Sequence, residues 1–412
     1  MSIPKPEADR ELLEKLLDES KEIHGVSLWQ DAGKRLRRNK MAMISLYALV
    51  ALALLAILTP LLPLQSPIDK DLNNRRFMSP NFQAVVMGQR DGLKFADGRL
   101  TAELNSFQSE IGELRTKQRN ESDEAKRGKI EQQINERVDV EHPFNQLWNE
   151  LGPVSWQLTK VRVAIFGDYA IPSIFGTDKL GRDLLARVFW GARVSLIVGI
   201  VATLVSLMIG VSYGAIAGYF GGIIDRIMMR IVDILYSIPF IFVVIFLVTF
   251  LGEDNVKKWL ESYGIDQIMI FYMVIGAIYW LTMSRVVRGQ VLSLREEQFV
   301  ESARTVGASP MRIVFRHLVP NVLGIVIVYL TLTIPSVMLF EAFLSFLGLG
   351  VAPPDVSWGQ LLNDGVEALS SVKLFWWVVV FPGMALAATL FALNFLGDGL
   401  RDALDPRMKN RD

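Results

Sequence analysis

The octet Gly176-Thr177-Asp178-Lys179-Leu180-Gly181-Arg182-Asp183 has the glycine spacing of a phosphate-cradling loop, G-x-x-x-x-G-K-[ST]. Phosphate chemistry also needs a lysine that reaches the terminal phosphates and a hydroxyl that holds Mg²⁺. Arg182 and Asp183 stand in those two places, and a carboxylate would repel a phosphate. No ATP site is expected here. Metal chemistry is no better provided for. The chain has no cysteine, and His24, His142 and His317 are too scattered for ligand spacing. No catalytic residue, metal or bound cofactor is expected.

Other charged residues read differently. Glu341 interrupts an apolar run about 21 residues after Pro320, some 30 Å at helical rise. An acid so placed either meets a substrate's amino group or a pathway partner, or serves as a paired structural carboxylate. Asp225, Arg226, Arg230 and Asp233 follow near-helical spacing, which suggests an ion-pair lattice fixing helix register. Pro239 and Pro335 lie within apolar runs and loosen the backbone hydrogen-bond ladder. The stretch "GAIAGYFGG" favours close helix packing or a tight turn.

The elements that must hold these residues follow from where charge is missing. Of 412 residues 51% are hydrophobic, mean hydropathy is +0.31 and formal net charge is zero, so nothing argues electrostatically for nucleic acid. Stretches without Asp, Glu, Lys or Arg cover 41–68, 194–224, 234–252, 267–284, 318–340 and 374–397. Each reaches the roughly 18 residues at which a helix can cross a bilayer. The pattern predicts an all-α polytopic membrane protein with six transmembrane helices. The first run reads as a signal anchor, since no small-residue cleavage site follows it. Lys34, Arg35, Arg37, Arg38 and Lys40 precede it, which puts the N-terminus in the cytoplasm. Arg401, Arg407, Lys409 and Arg411 put the C-terminus there too, whereas 346–372 holds no Lys or Arg.

Residues 296–321, "EEQFVESARTVGASPMRIVFRHLVPN", fall on the same cytoplasmic side. They read as a short helix, a break at Gly307, and a second short helix opening on Ser309 and Pro310. A charged helix pair between two spans cannot sit in lipid, where each charge costs about 2.5–3.5 kcal/mol. A rigid exposed element joining spans suits the receipt of force from a soluble partner.

Here the residues resemble a known family. Glu301-Ser302-Ala303, Gly307, Ile313 and Leu318-Val319-Pro320 resemble the EAA loop of binding-protein-dependent ABC importer permeases, with Ser302 where Ala is usual. "FGTDKLGRDLLARVFWGARVSL", "GYFGGIIDRIMMRIVDILYSIPFI", "EAFLSFLGLGVAPPDVSWGQLL" and "FPGMALAATLFALNFLGDGLRDALDPR" are similar, in order, to the C-type subunit of the dipeptide/oligopeptide/nickel permeases. The resemblance implies the six-helix type I importer permease fold in a bacterial inner membrane. It implies a second homologous permease, two cytoplasmic ATPases that bind and hydrolyse ATP-Mg, an extracytoplasmic solute-binding protein and a peptide substrate. Nickel, glutathione and murein peptides are the nearest alternatives. Within it, Glu301, Ala303, Gly307, Ile313 and Pro320 would couple to the ATPase. Gly176, Thr177, Asp178, Gly181, Arg182, Asp183, Asp225, Arg230, Asp233, Pro239 and Asp398 would be structural motif positions.

The chain divides into a cytoplasmic amphipathic segment 1–40, a first span 41–63, an extracytoplasmic insertion 64–189, a core 190–400 with coupling helices 296–318, and a tail 401–412. The insertion is longer than the family usually has. Leu104, Phe107, Ile111 and Leu114, then Ile130, Ile134 and Val138, suggest a helical hairpin over 101–141, with "KQRNESDEAKRGK" between its arms. The leucines 12, 13, 16 and 17 with Ile23 suggest a segment lying along the inner membrane surface.

Overall fold

A computed structural model describes residues 28–81, 100–148, 151–263, 267–351, 355–369 and 373–404; these are helical, with one isolated β-bridge between Thr177 and Asp183. The N-terminal leucines named above and Arg407, Lys409 and Arg411 lie outside the described residues. The chain runs through α1 (Leu28–Arg38) and α2 (Lys40–Leu58), which the Asn39 carboxamide caps by accepting from the Ala42 N–H at 3.2 Å. A 3₁₀ turn, Thr59–Leu61, finishes α2. Then come α3 (Leu100–Asn120), α4 (Glu124–Val140), α5 (Pro143–Trp148) and α6 (Pro153–Phe166). The rest is α7 (Leu184–Phe220), α8 (Gly222–Ser237), α9 (Phe240–Leu251), α10 (Asp254–Glu261), α11 (Gln267–Leu294), α12 (Gln298–Thr305), α13 (Pro310–Phe346), α14 (Trp358–Glu367) and α15 (Trp376–Leu404).

Helix α7 is the axis. Its 37 residues extend about 55 Å, well beyond the roughly 30 Å hydrocarbon core. Gly210, Gly214 and Gly218 form one face that lets α11 approach closely: a Cβ on Gly214 would lie 2.3 Å from the Ser284 carbonyl oxygen, and one on Gly218 2.9 Å from that of Arg288. "GAIAGYFGG" thus does both things expected of it, since Gly221 and Gly222, at positive φ, then turn the chain into α8. Helices α13 and α15 pack on other sides of α7, and α2 flanks α15. Gly399 makes that last contact possible, because a Cβ there would meet the Ala42 Cβ at 2.3 Å.

Among the described residues, four helices are long and apolar enough to cross a membrane: α2 with its 3₁₀ turn, α7, α13 and α15. The pair α8–α9 makes a fifth candidate if its 85° bend is counted as one broken span. Five of the six apolar runs fall mainly in single long helices, α2, α7, α11, α13 and α15, and the sixth is bent. Run 234–252 is split because Pro239 has no N–H for the Leu235 carbonyl and crowds it, and Ile238 before it is extended. The 12 residues left in α9 reach only about 18 Å. Run 267–284 lies in α11, 28 residues long and packed along α7.

The proposed lattice on α8 is also corrected. Asp225 and Asp233 do not pair with Arg226 and Arg230; they face α11, where Arg288 donates to both Asp225 oxygens and Arg285 to Asp233 at 2.8 Å. Asp225 is buried against α11, while Arg226 and Arg230 are exposed. The hairpin turn is shorter than the charged stretch suggested. Only Glu121–Asp123 separate α3 from α4, whose cap is the Asp123 carboxylate accepting from the Ala125 N–H at 3.0 Å. Ile111 and Ile134 are buried between the arms, and Arg137 bridges to Glu110 at 2.8 Å.

Candidate functional site

Two sites lie at opposite ends of the bundle. The first is the loop 296–320. Its α12 ends in a Schellman motif: Gly307, at φ +81°, donates to the Arg304 carbonyl at 2.9 Å, and Ala308 donates to that of Ala303 at 3.0 Å. Glycine is required at this left-handed turn. Ala303 and Ala308 pack inward beside buried Val300, Ile313, Val314 and Leu318. Glu301 stays exposed, and Arg304 lies over the Tyr219 ring at the end of α7, 5.3 Å from its centroid.

The second helix of the pair is not a separate short one. It begins at Pro310 and continues into the span as α13, with residues Ile313–Leu318 wound as a π-helix. Pro320 supplies the reason: it lacks the N–H that would bond the Arg316 carbonyl, and its ring crowds that carbonyl. A wider turn relieves the crowding, and Val319 donates instead to Val314. Ser309 occupies the N-cap position without a side-chain bond. Between the two helices an apolar tip faces outward. Val306 is 88% exposed, and Phe299, Met311 and Phe315 are exposed around it. Nothing in the sequence marks these four as exposed; clustered around one turn, they form the kind of apolar patch that serves as a docking surface.

The second site is the octet that opened the sequence reading. Asp178 is buried and fills the loop with its own carboxylate. Its Oδ1 accepts from the N–H groups of Leu180 and Arg182 at 2.8 and 2.9 Å. Its Oδ2 accepts from Arg182 Nε at 2.7 Å and Arg187 Nη1 at 2.5 Å. Asp364 on α14 meets Arg187 at 3.3 Å, Arg182 at 3.6 Å and Lys179 at 3.2 Å, and Glu367 also holds Lys179. The cradle is occupied by protein anions, so no room for a phosphate is left. Asp183 caps α7 by accepting from the Ala186 N–H at 2.7 Å, and burial pushes its pKa up to about 6. Gly176 and Gly181 have no room for a side chain, because the strap 69–81 crosses them: a Cβ on either would lie within 2.4 and 2.1 Å of the Met78 and Asp71 carbonyl oxygens. Thr177 donates through Oγ1 to the Arg75 carbonyl. Trp377 Nε1 donates to the Thr177 carbonyl at 3.1 Å, and Trp358 Nε1 to that of Val188 at 2.9 Å. The octet is therefore a clamp that ties the start of α7 to α14 and α15. Arg187 and Asp364 were not singled out in the sequence, though an arginine at the border of an apolar run carries a signal of its own.

The remaining predicted positions are scattered. Glu341 is 1% exposed; Ser345 Oγ donates to its Oε1 at 2.8 Å, and its Oε2 has no hydrogen-bond partner among the described residues. In this conformation it meets neighbouring helix and not an open mouth. Asp398 is exposed, while Gly397 and Gly399 on either side of it are buried. Pro239 sits at the break between α8 and α9. No group of three or more potential metal-binding side chains occurs among the described residues.

Comparison with known proteins identifies the family. Residues 210–410 match the profile of the binding-protein-dependent transport system inner membrane component, and 27–80 match the N-terminal TM domain of oligopeptide transport permease C. The oligopeptide transport system permease protein OppC of Salmonella typhimurium is 51% identical over 240 residues, 58% of this chain and 74% of that protein. The dipeptide transport system permease protein DppC of Bacillus subtilis is 45% identical over 235 residues, 57% of this chain and 69% of that protein. A solved inward-facing MetNI methionine ABC transporter shares 23% identity over 54% of this chain and 98% of its own, with a TM-score of 0.42. The chain belongs to the family of binding-protein-dependent inner membrane transport components, and within it to the OppC- and DppC-like permeases.

Proposed function

We propose that this chain is one permease half of an ATP-driven importer that moves di- or oligopeptides across a bacterial inner membrane. The peptide substrate is supported by relatives named for oligopeptide and dipeptide transport. The observation that carries the mechanism is the exposed apolar tip of Phe299 on α12, Val306 in the turn, and Met311 and Phe315 on α13. Such a knob fits a cleft on a soluble ATPase. Because α13 runs unbroken from Pro310 to Phe346, a push on the tip travels along the helix toward the pathway. Glu301, Ala303, Gly307, Ile313 and Pro320 couple the chain to that ATPase, Glu301 from the exposed surface and the other four by holding the knob in shape.

In this reading ATP-Mg binds and is hydrolysed on two partner subunits, and this chain is not an enzyme. A second permease completes the pathway, and a solute-binding protein delivers peptide from outside. Both termini lie in the cytoplasm, so the clamp and the hairpin face outward. Glu341 would reach a substrate amino group only if α14 moved away from α13. The test is uptake of labelled peptide into proteoliposomes. Uptake should need this chain, a second permease, the ATPases with ATP, and the binding protein together. Uptake driven by an ion gradient with this chain alone would refute the proposal.

A further inference from the structure

Helix α6 is built inside out. Ser155, Thr159 and Arg162 form its buried stripe, whereas Val154, Val161 and Ile165 form an exposed one about 100° away around the helix. The body of the protein bonds part of the polar stripe. Arg193 Nη2 donates to Ser155 Oγ at 2.9 Å, and Arg162 Nη2 donates to the Leu64 carbonyl at 2.6 Å. Phe166 and Tyr169 extend the exposed apolar surface past the helix end. In water this arrangement is upside down, since it buries charge and exposes valine and isoleucine.

We propose that α6 lies within the membrane leaflet at the clamp end of the bundle, with Val154, Val161 and Ile165 among the acyl chains and Lys160 at the headgroup phosphates. Three observations favour lipid over a protein as the occupant. The stripe continues a lipid-facing surface: α6 packs on the 3₁₀ turn that ends α2, and the apolar window of α2 is only 17% buried. Segment 153–167 contains no acid, and its exposed charge, Lys160, is a cation whose stem can lie along apolar surface while its head reaches phosphate. Its 14 residues reach only about 21 Å, too short to cross and suited to lying in one leaflet.

The consequence concerns the hairpin. Trp156 on α6 closes an aromatic box with Phe144 and His142, and Phe107 of α3 packs edge-on to the same imidazole. Asp168, just beyond α6, accepts from both the N–H and the hydroxyl of Thr101 at 2.8 Å. A leaflet-bound α6 is thus the platform that sets the hairpin's stance above the bilayer.

The chain's lack of cysteine makes the test direct. Single cysteines replace Val161, Ile165, Val50 on α2 and Ser122 in the hairpin turn. Each carries an environment-sensitive fluorophore in the assembled transporter in lipid nanodiscs. Nitroxide phospholipids then report lipid contact. Labels at 161 and 165 should emit to the blue and lose most of their intensity to a nitroxide near the headgroup, while the label at 122 keeps its emission. If they match the label at 122, the stripe faces water and the proposal falls. Blue-shifted labels that no lipid quenches would mean that a protein covers the stripe, which also overturns it. The Val50 label separates the cases: if it too escapes quenching, the membrane-spanning reading of the bundle has failed, and not the placement of α6 alone.

Discussion

Replacing Asp178 by asparagine tests the clamp with nearly constant volume. The amide oxygen can still accept from the N–H groups of Leu180 and Arg182, so the turn keeps its local bonds. The amide nitrogen, however, would face Arg182 Nε and Arg187 Nη1, which now stand 2.7 and 2.5 Å from Oδ2. Arg187 is 1% exposed and would keep only Asp364, at 3.3 Å. Removing one partner of a buried ion pair costs about 3–5 kcal/mol, and the surviving Asp364 contact argues for the lower end. About 3 kcal/mol raises the unfolded fraction roughly a hundredfold. Lys179→Met is the control: Lys179 is 34% exposed and its partners Glu367 and Asp364 are 56% and 15% exposed, Asp364 keeps Arg187 and Arg182, and exposed pairs of this kind contribute about 1 kcal/mol or less. Pulse proteolysis of the purified chain in detergent, across a denaturant series, reads both variants. A loss for Asp178→Asn no larger than that for Lys179→Met would refute the reasoning.

Three further outcomes are expected. Gly307→Pro, at φ +81°, and Glu301→Lys should each abolish substrate-stimulated ATP hydrolysis by the assembled complex while leaving the chain in the membrane; normal stimulation in both would remove the coupling role of 296–318. Gly214→Ala should lower thermal stability, at an overpacking cost of about 1–3 kcal/mol, because its Cβ meets the Ser284 carbonyl; Gly324→Ala, with nothing within 4 Å, should not, and equal effects would contradict the α7–α11 contact. His142 Nδ1 accepts from the Phe144 N–H at 3.1 Å, and burial pulls its pKa below the usual 6.5. The hairpin anchor is therefore complete above that value and is lost as pH falls through the lowered folded pKa, where protonation removes the acceptor. Hydrogen exchange at the hairpin base, corrected for intrinsic rate, should be faster at about pH 5 than at about pH 8, and His142→Asn should flatten the difference.

The apolar runs by themselves determined that this is a helical membrane protein, because removing charge over 18 or more residues has few other uses. Motif residues in order were enough for the family. Partnership over distance was decided only by the tertiary structure. Asp178 finds Arg187 nine residues on, but Asp364 lies 177 residues beyond Arg187, and no spacing rule links them. The acids of α8 pair with Arg288 and Arg285 of α11 and not with Arg226 and Arg230 of their own helix, a choice made by the packing of α8 on α11. Pro239 and Pro335 were legible as disruptions, yet Pro239 produced an 85° break, Pro335 stays inside α13, and a π-helix formed before Pro320, a position the sequence offered only as part of the coupling motif. The difference follows from what packs around each: α8 is mostly exposed, whereas Ile313, Val314 and Leu318 are held in a buried cluster. The inverted pattern of α6 was hidden for the same reason. Its sequence shows which residues are polar, and only the fold shows that the polar ones face inward.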